Sequence, residues 1–365
     1  MIYVLEPYLT SSHKHWLKIF SIQNKLEVKS FTLPGYHWKW RMHGAAITLA
    51  KKLSKHSEPD HILVSEMCDV AVLKALIPAE WNSKITVYFH ENQLTFPWSP
   101  KDIDLKLQRN NHYAFINYTS ALAADYVVFN SNFHFHEFVN ALPKFLHQFP
   151  EKKDLSFLSE IKTKASVIPI HLFFPESNSK KWLNTTPRIL WNHRWEYDKN
   201  PELFFQTLFK LKKQGLKFEL VVLGKKGEAY PHVFKEAKEK LASELVHFGF
   251  EENFETYISL ISSAHLIPVT SIQDFFGISA LEAAAIGAYP LLPNRLAFPE
   301  HFNSKEHLYE TDSELENMLE FYLKNWEAEK KSLGEKSTKL KAELKEKYSV
   351  ERVISLWHSH FKNAN

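Results

Sequence analysis

Leu266-Ile267-Pro268-Val269-Thr270-Ser271-Ile272-Gln273-Asp274-Phe275-Phe276-Gly277-Ile278-Ser279-Ala280-Leu281-Glu282 passes from an apolar run, through a loop with one carboxylate, into a helix of small residues stopped by Gly287. A strand that hands over directly to a helix is half of a β–α–β crossover, the unit of a parallel sheet covered by helices. The alternation recurs outward in both directions. Upstream, strands are expected at Arg188–Asn192, Glu219–Leu223 and Val246–Phe248, and downstream at Tyr289–Leu292, with helices over Pro201–Gln214, His232–Ser243 and Phe254–Ala264. An earlier series comprises Tyr3–Leu5, Glu27–Thr32, His61–Ser65, Ile85–Phe89, Tyr126–Phe129 and Val167–Ile168. The polar run 173–187, with Pro175, Ser177, Ser179, Thr185 and Thr186, reads as a linker between the two series. The expected fold is α/β: two Rossmann-like, doubly wound domains, 1–172 and 188–345, facing a cleft, with 346–365 a terminal helix packing back on the body. The Lys/Glu-rich tail Glu314–Lys347 reads as a solvated helical face. Ligands of such sheets sit beyond the carboxyl ends of the strands, which is where the motifs fall.

Composition narrows the chemistry. With 365 residues, 44% hydrophobic and 24% charged, the chain is long enough for two globular domains. Its nine glycines build neither Gly-x-Gly-x-x-Gly nor a P-loop, so both nucleotide fingerprints are excluded as written. Cys68 stands alone, which excludes intrachain disulfides and cysteine-rich metal or iron–sulfur sites; it reads as buried filler. Basic and acidic residues nearly balance, 45 against 42. No apolar run approaches the roughly 18–20 residues of a membrane helix. Met1-Ile2-Tyr3-Val4-Leu5-Glu6 reads as a first strand, not a signal peptide. A cytoplasmic chain with no membrane partner and no evident obligate protein partner is expected. His134-x-His136 and His358-x-His360 lack a third ligand, so no metal is expected.

Two constellations carry candidate chemistry. The start of the helix near Gly277 offers unpaired backbone amides to an anion, flanked by Phe276 and Ile278. Asp274 and Glu282 bracket it with acceptors suited to sugar and ribose hydroxyls. The second constellation is Trp191-Asn192-His193-Arg194-Trp195-Glu196-Tyr197-Asp198-Lys199-Asn200-Pro201, where Pro201 opens a helix capped by Asn200. Arg194 and Lys199 in that loop are two cations able to neutralise a pyrophosphate.

Together these segments resemble the retaining glycosyltransferases of the B-type fold (GT-B). That resemblance implies that Arg194 and Lys199 grip the donor diphosphate, Asp274 faces the transferred sugar, Glu282 takes the ribose, and Phe248-Gly249-Phe250 holds the nucleobase by backbone atoms. Asp274 departs from the pattern, in which Glu is commoner. The first half is similar to the tRNA-queuosine mannosyltransferases, through Glu6-Pro7-Tyr8-Leu9-Thr10-Ser11-Ser12-His13-Lys14, Phe31-Thr32-Leu33-Pro34, His37-Trp38-Lys39-Trp40-Arg41, Tyr88-Phe89-His90-Glu91-Asn92-Gln93-Leu94 and Phe129-Asn130-Ser131. The likeness runs from Ile2 to about Pro299 and implies transfer of mannose from GDP-mannose to queuosine in the anticodon loop of tRNA-Asp, with no cofactor beyond the donor. It implies an acceptor site at Ser12, His13, Trp38, Lys39, Trp40, Arg41, Glu91, Asn92 and Gln93, with His90 or His13 orienting the hydroxyl. Thr10 and Ser11 depart from that family's pattern, which has glycines there.

The residues support an RNA acceptor on their own chemistry. Trp38, Lys39, Trp40 and Arg41 interleave aromatic planes with cations, as base stacking and phosphate pairing require. In an extended segment both rings would share one face and both cations the other. Two rival readings share the donor half: a transferase for a lipid or polysaccharide acceptor, and a non-catalytic protein that binds tRNA or nucleotide sugar.

Overall fold

The computed structural model describes residues 1–23, 26–150, 156–175, 179–227 and 230–363. The chain forms two compact units, Met1–His171 with Val350–Asn365, and Leu172–Ser349.

Unit 1 begins β1 (Ile2–Leu9), α1 (Ser11–Gln23), β2 (Val28–Pro34), α2 (Trp38–Leu53), β3 (His61–Ser65) and α3 (Val70–Leu76). It continues β4 (Lys84–Phe89), α4 (Ile103–Lys106), α5 (Asn111–Ala123), β5 (Tyr126–Phe129), α6 (Asn132–Leu146), α7 (Ser156–Lys164) and β6 (Ala165–Val167). The strands pair in parallel in the order β2-β1-β3-β4-β5-β6. Their side chains alternate between two covered faces, which is why these strands read as continuous apolar runs. Tyr3, Leu5, Ile62, Val64, Val87 and Phe89 pack on one side with Leu49, Leu73 and Phe138. Ile2, Val4, Leu63, Tyr88 and Val128 pack on the other with Trp16 and Phe20.

Unit 2 begins β7 (Arg188–Asn192), α8 (Pro201–Lys213), β8 (Glu219–Leu223), α9 (Val233–Lys240), β9 (Leu245–Gly249) and α10 (Phe254–Ser263). Then come β10 (Leu266–Pro268), α11 (Ile278–Ile286), β11 (Tyr289–Pro293), β12 (Leu308–Tyr309), α12 (Asp312–Lys324) and α13 (Trp326–Tyr348). Its parallel sheet runs β12-β11-β10-β7-β8-β9. The last helix, α14 (Val350–Asn363), returns to unit 1, where Trp357 is fully buried against Phe20 and Tyr88.

Strand order reverses once in each sheet. From β1 the chain passes to β2 on one side and to β3 on the other; from β7 it passes to β8 on one side and to β10 on the other. Loops leaving the carboxyl ends of β1 and β3, or of β7 and β10, diverge and leave a crevice.

Three expectations need correction. Trp38–Arg41 is not extended but the first turn of α2, set off by His37 at a positive φ of 57°. Met42, Ala45, Ala46, Leu49, Ala50 and Leu53 carry the helical burial pattern that decides the segment. The 173–187 run is no simple spacer: Ser179–Leu183 forms a short 3-10 helix, buried Lys181 donates to Ala264 O at 2.6 Å, and the Trp182 ring lies against Gly334. Residues 176–178 of that run lie outside the described residues. The Lys/Glu-rich tail is not wholly solvated, because Trp326, Leu333, Ser337, Leu340, Leu344 and Tyr348 bury one stripe of α13. The helix also runs past the expected boundary at 345, to Tyr348. Among the described residues no helix is long and apolar enough to cross a membrane.

If α13 is structural, Leu344→Ala should destabilise unit 2 by about 2–5 kcal/mol, the range for deleting a buried leucine, while exposed Lys339→Ala should change little. Denaturant unfolding followed by tryptophan fluorescence reads both; equal midpoints for the two variants would contradict the packing.

Candidate active site

In unit 2 the site grows from the reversal between β7 and β10. The loop after β7 and the loop after β10 are bonded to each other. Ile272 N donates to Asp198 O at 2.8 Å, and Thr270 Oγ1 donates to Lys199 O at 2.8 Å. Lys199 Nζ completes the join, donating to Gln273 O at 2.8 Å and Asp274 Oδ1 at 2.9 Å, and lying 3.1 Å from Asp198 Oδ2. Burial opposes the charge on Lys199, but the two carboxylates overcome it and raise its pKa. Burial likewise works against an ionised Asp274, yet Lys199 beside it holds its carboxyl below the usual range. Lys199 is thus the cation that seats Asp274. Arg194 is different: its side chain is 54% exposed, with Nη1 2.9 Å from Glu196 Oε2.

The small-residue helix α11 starts at Gly277, whose φ is 75°. A Cβ there would stand 2.4 Å from Phe298 Cε1, so conformation and space both require glycine. Phe276 is buried, its carbonyl accepting from His301 Nε2 at 2.9 Å, and half-buried Ile278 follows in the first turn. One turn further, burial raises Glu282 to about 7, against a hydrogen bond from the Tyr257 hydroxyl. Tyr257 also bonds Asn192, whose Nδ2 donates to Ser279 O at 3.3 Å. His193 pairs through Nδ1 with Ser279 Oγ at 2.9 Å, and burial lowers it to about 4, which keeps it neutral. Phe248 packs on Trp195, and Gly249 leaves its backbone open, with nothing within 4 Å of a would-be Cβ. Sequence reasoning missed Asp198, Tyr257, Asn192 and Ser279 as partners; Asp198 sits beside Lys199 and was readable only as loop charge.

In unit 1 the reversal lies between β1 and β3. Glu6 lies near the end of the buried part of β1, and its Oε1 accepts from Tyr8 N and Ser65 Oγ. Its Oε2 lies 3.1 Å from His13 Nδ1. Burial works against charge on His13, but Glu6, with help from Glu66 and Glu91, raises it to about 9. Glu66 follows β3, is 1% exposed, and accepts from His90 N through Oε2 at 3.1 Å. Burial pushes it up to about 8 against the pull of His13. The His90 ring stacks near Tyr88, His13 and Trp16, and burial holds it well below the usual histidine range. Glu6, His13 and His90 place ligand atoms within 4.8 Å of one another, a set able to hold a metal ion, although the sequence led to the expectation of none.

The other expected acceptor residues divide. Glu91 accepts from Gln93 Nε2 at 3.0 Å. Asn92 is fully buried, with Oδ1 shaping the turn by accepting from Leu94 N and Thr95 N, and Gln93 N donates to Asn117 Oδ1. Ser12 is exposed beside Thr10, with their hydroxyls 3.2 Å apart. Lys39 is taken up by Asp102 and Asp104, and Trp38 packs on Trp98 and Tyr113. Trp40 is 64% exposed, and its ring occupies the space beside Gly44. Arg41 lies over Tyr36. The helix therefore puts Trp38 and Trp40 on different faces, where a strand would have put them on one. The histidine pairs hold no metal geometry: His134 Nδ1 bonds Asn130 Oδ1, and His360 Nε2 bonds Thr86 Oγ1.

Residues 1–172 match the family model described as the tRNA-queuosine alpha-mannosyltransferase N-terminal region, and residues 174–340 match glycosyl transferases group 1. The chain is 32% identical over 329 residues to the Drosophila melanogaster tRNA-queuosine alpha-mannosyltransferase, covering 87% of this chain and 85% of that protein. Among solved structures it is similar to sucrose-phosphate synthase from Thermosynechococcus elongatus, with a TM-score of 0.70 and 14% identity over 99% of this chain and 98% of that one. Anabaena HepE in complex with UDP matches with a TM-score of 0.66 and 12% identity over 99% of both chains. These likenesses establish the two-domain Rossmann-like GT-B fold.

The two loop cations should separate in a stability assay. Removing Lys199 leaves Asp198 and Asp274 buried without their cation, so Lys199→Ala should destabilise by about 3–5 kcal/mol. Half-exposed Arg194→Ala should stay within about 0.5 kcal/mol of wild type. Thermal unfolding of both variants checks this; a Lys199→Ala variant as stable as wild type would remove the ion cluster from the account.

Proposed function

The chain belongs to the tRNA-queuosine alpha-mannosyltransferase family, and from that premise we propose that it transfers mannose from GDP-mannose to queuosine in tRNA, with tRNA-Asp the species acted on. The observation that carries the reading is that both units match at once, one to the family's own N-terminal region and the other to a glycosyltransferase domain. The donor half has the parts the reaction needs. The acceptor hydroxyl attacks the anomeric carbon on the face the diphosphate leaves. The carbon–oxygen bond to phosphate breaks, the new glycosidic bond forms with retained α configuration, and the acceptor proton passes to the departing phosphate oxygen.

Negative charge grows on that diphosphate, and catalysis lies in stabilising it where it appears. We assign this to Arg194 and to the backbone amides at the start of α11, without a divalent cation. Lys199 acts by holding Asp274 ionised toward the sugar and Glu282 accepts from ribose hydroxyls, while Gly249 offers backbone to the base. In unit 1, His90 orients the acceptor hydroxyl, and Trp40 with Arg41 meets the tRNA. Lys39, Trp38 and Asn92 have structural work instead.

The deciding experiment incubates purified protein with GDP-mannose and tRNA with or without queuosine, followed by nucleoside mass spectrometry. Mannosyl-queuosine should appear only with queuosine-containing tRNA, and EDTA should leave the rate unchanged. No mannosylated nucleoside would refute the reading, and full inhibition by EDTA would refute its metal-free step.

The exposed platform yields a second prediction. Trp40→Ala should weaken tRNA binding about 5- to 150-fold, the size of one lost stacking contact of roughly 1–3 kcal/mol, with little change in salt dependence. Arg41→Ala should reduce the slope of log affinity against log salt by about one. Binding titrations at several salt concentrations read both, and wild-type behaviour of both variants would remove α2 from the acceptor surface.

A further inference from the structure

Glu66 has no assigned role above, and its surroundings give it one. Its carboxylate lies at the β1/β3 reversal, where a doubly wound sheet binds its ligand. It is 1% exposed, and Oε1 has no hydrogen-bond partner among the described residues, while Oε2 is held by His90 N. The nearby cation, His13, is paired with Glu6 at 3.1 Å. Beside Glu66 a second buried polar atom, His90 Nε2, also lacks a partner. Buried polar groups are ordinarily satisfied, so two orphaned atoms in one crevice describe what is missing from it. The missing group supplies a cation to the carboxylate and a hydroxyl to the neutral imidazole.

We propose that Glu66 is the specificity-determining residue for the acceptor, its free oxygen receiving the secondary ammonium of queuosine while His90 Nε2 meets the adjoining cyclopentene diol. The inference rests on the proposed reaction and deepens it. Queuosine differs from the guanosine it replaces by a 7-deaza ring bearing this amine and diol, so a site that must tell the two apart has to read those groups. A phosphate is refused by the same carboxylates, which keeps the tRNA backbone outside this crevice and on Arg41. Burying the Glu66 carboxyl with one oxygen unpartnered is costly, and an ammonium docked on that oxygen offsets the cost. A polar site built to be filled by its ligand's amine rejects the analogue lacking it far more strongly than an apolar pocket does.

The test uses the full chain and tRNA transcripts carrying either queuosine or guanosine at the wobble position. Wild type and Glu66→Gln are compared for affinity to each tRNA, for mannosylation of the queuosine form, and for GDP-mannose affinity. The glutamine keeps the size and the acceptor for His90 N but loses the charge. It should lower affinity for queuosine-tRNA at least tenfold, leave guanosine-tRNA and GDP-mannose affinities unchanged, and raise KM more than it lowers kcat. Should Glu66→Gln fail to fold by circular dichroism, Glu66→Met, which also removes the charge, is measured the same way, and a retained preference for queuosine-tRNA above half the wild-type ratio in either folded variant overturns the proposal. Stoichiometric zinc in the purified protein, held by Glu6, His13 and His90, overturns it too, since the crevice would then be a metal site. If wild type makes no mannosyl-queuosine, the failure belongs to the proposed reaction; if wild type makes it and the variant discriminates equally well, the failure belongs to Glu66.

Discussion

Both candidate sites depend on one topological constraint: the reversal of strand order in a parallel sheet. Each β–α crossover must be right-handed, so helices that follow strands on one side of the first strand cover one face, and those on the other side cover the opposite face. Only where the order reverses do two neighbouring loops turn away from each other. In unit 1 that point lies between β1 and β3, and it gathers Glu6, His13 and Glu66, with His90 from the end of β4 beside them. In unit 2 it lies between β7 and β10 and gathers Asn192, His193, Lys199 and Asp274. Apolar strands buried on both faces make the reversal rigid, so the polar residues just beyond them are held in place.

The two crevices solve the problem of buried charge differently. In unit 2 the cation is internal: Lys199 stands between Asp198 and Asp274, and three close oxygens use its three donors. Lys199 meets three oxygens, while Asp198 Oδ1 accepts no hydrogen bond among the described residues. Arg194, by contrast, is half exposed and pairs with Glu196 at 2.9 Å. In unit 1 His13 pairs with Glu6 at 3.1 Å and also pulls on Glu66, whose Oε1 accepts no hydrogen bond among the described residues.

The β–α alternation was legible because strands buried on both faces read as short continuous apolar runs; each expected strand is found to within a few residues at its ends, while the two-residue edge strand β12 was not expected. The join between the loops at 193–200 and 271–277 was legible as cations followed by carboxylates, but not that Lys199 and Asp274 would pair, because a contact across more than seventy positions leaves no local trace. Trp38-Lys39-Trp40-Arg41 misled because four alternating residues satisfy period two, while the residues that decide the helix, Met42 through Leu53, come after them. The α13 stripe was hidden by composition: Leu333, Leu340 and Leu344 are a minority among lysines and glutamates, and only their spacing shows that one face is covered. Glu66 was passed over because a carboxylate one residue beyond a strand looks like any loop charge until its burial is known.

The two departures from the family pattern find different physical settings. Asp274 is one methylene shorter than the commoner glutamate, and its carboxylate is drawn back onto Lys199 at 2.9 Å. The short side chain therefore trades reach toward a sugar for an ion pair that holds it ionised, below the usual carboxylate range. Thr10 stands at the entrance to α1, where its carbonyl accepts from Lys14 N at 2.8 Å and its hydroxyl meets that of Ser12. Glycine at such a position leaves bare amides that favour a phosphate. Threonine fills the same space with a hydroxyl and a methyl group, beside a crevice whose carboxylates already disfavour an anion.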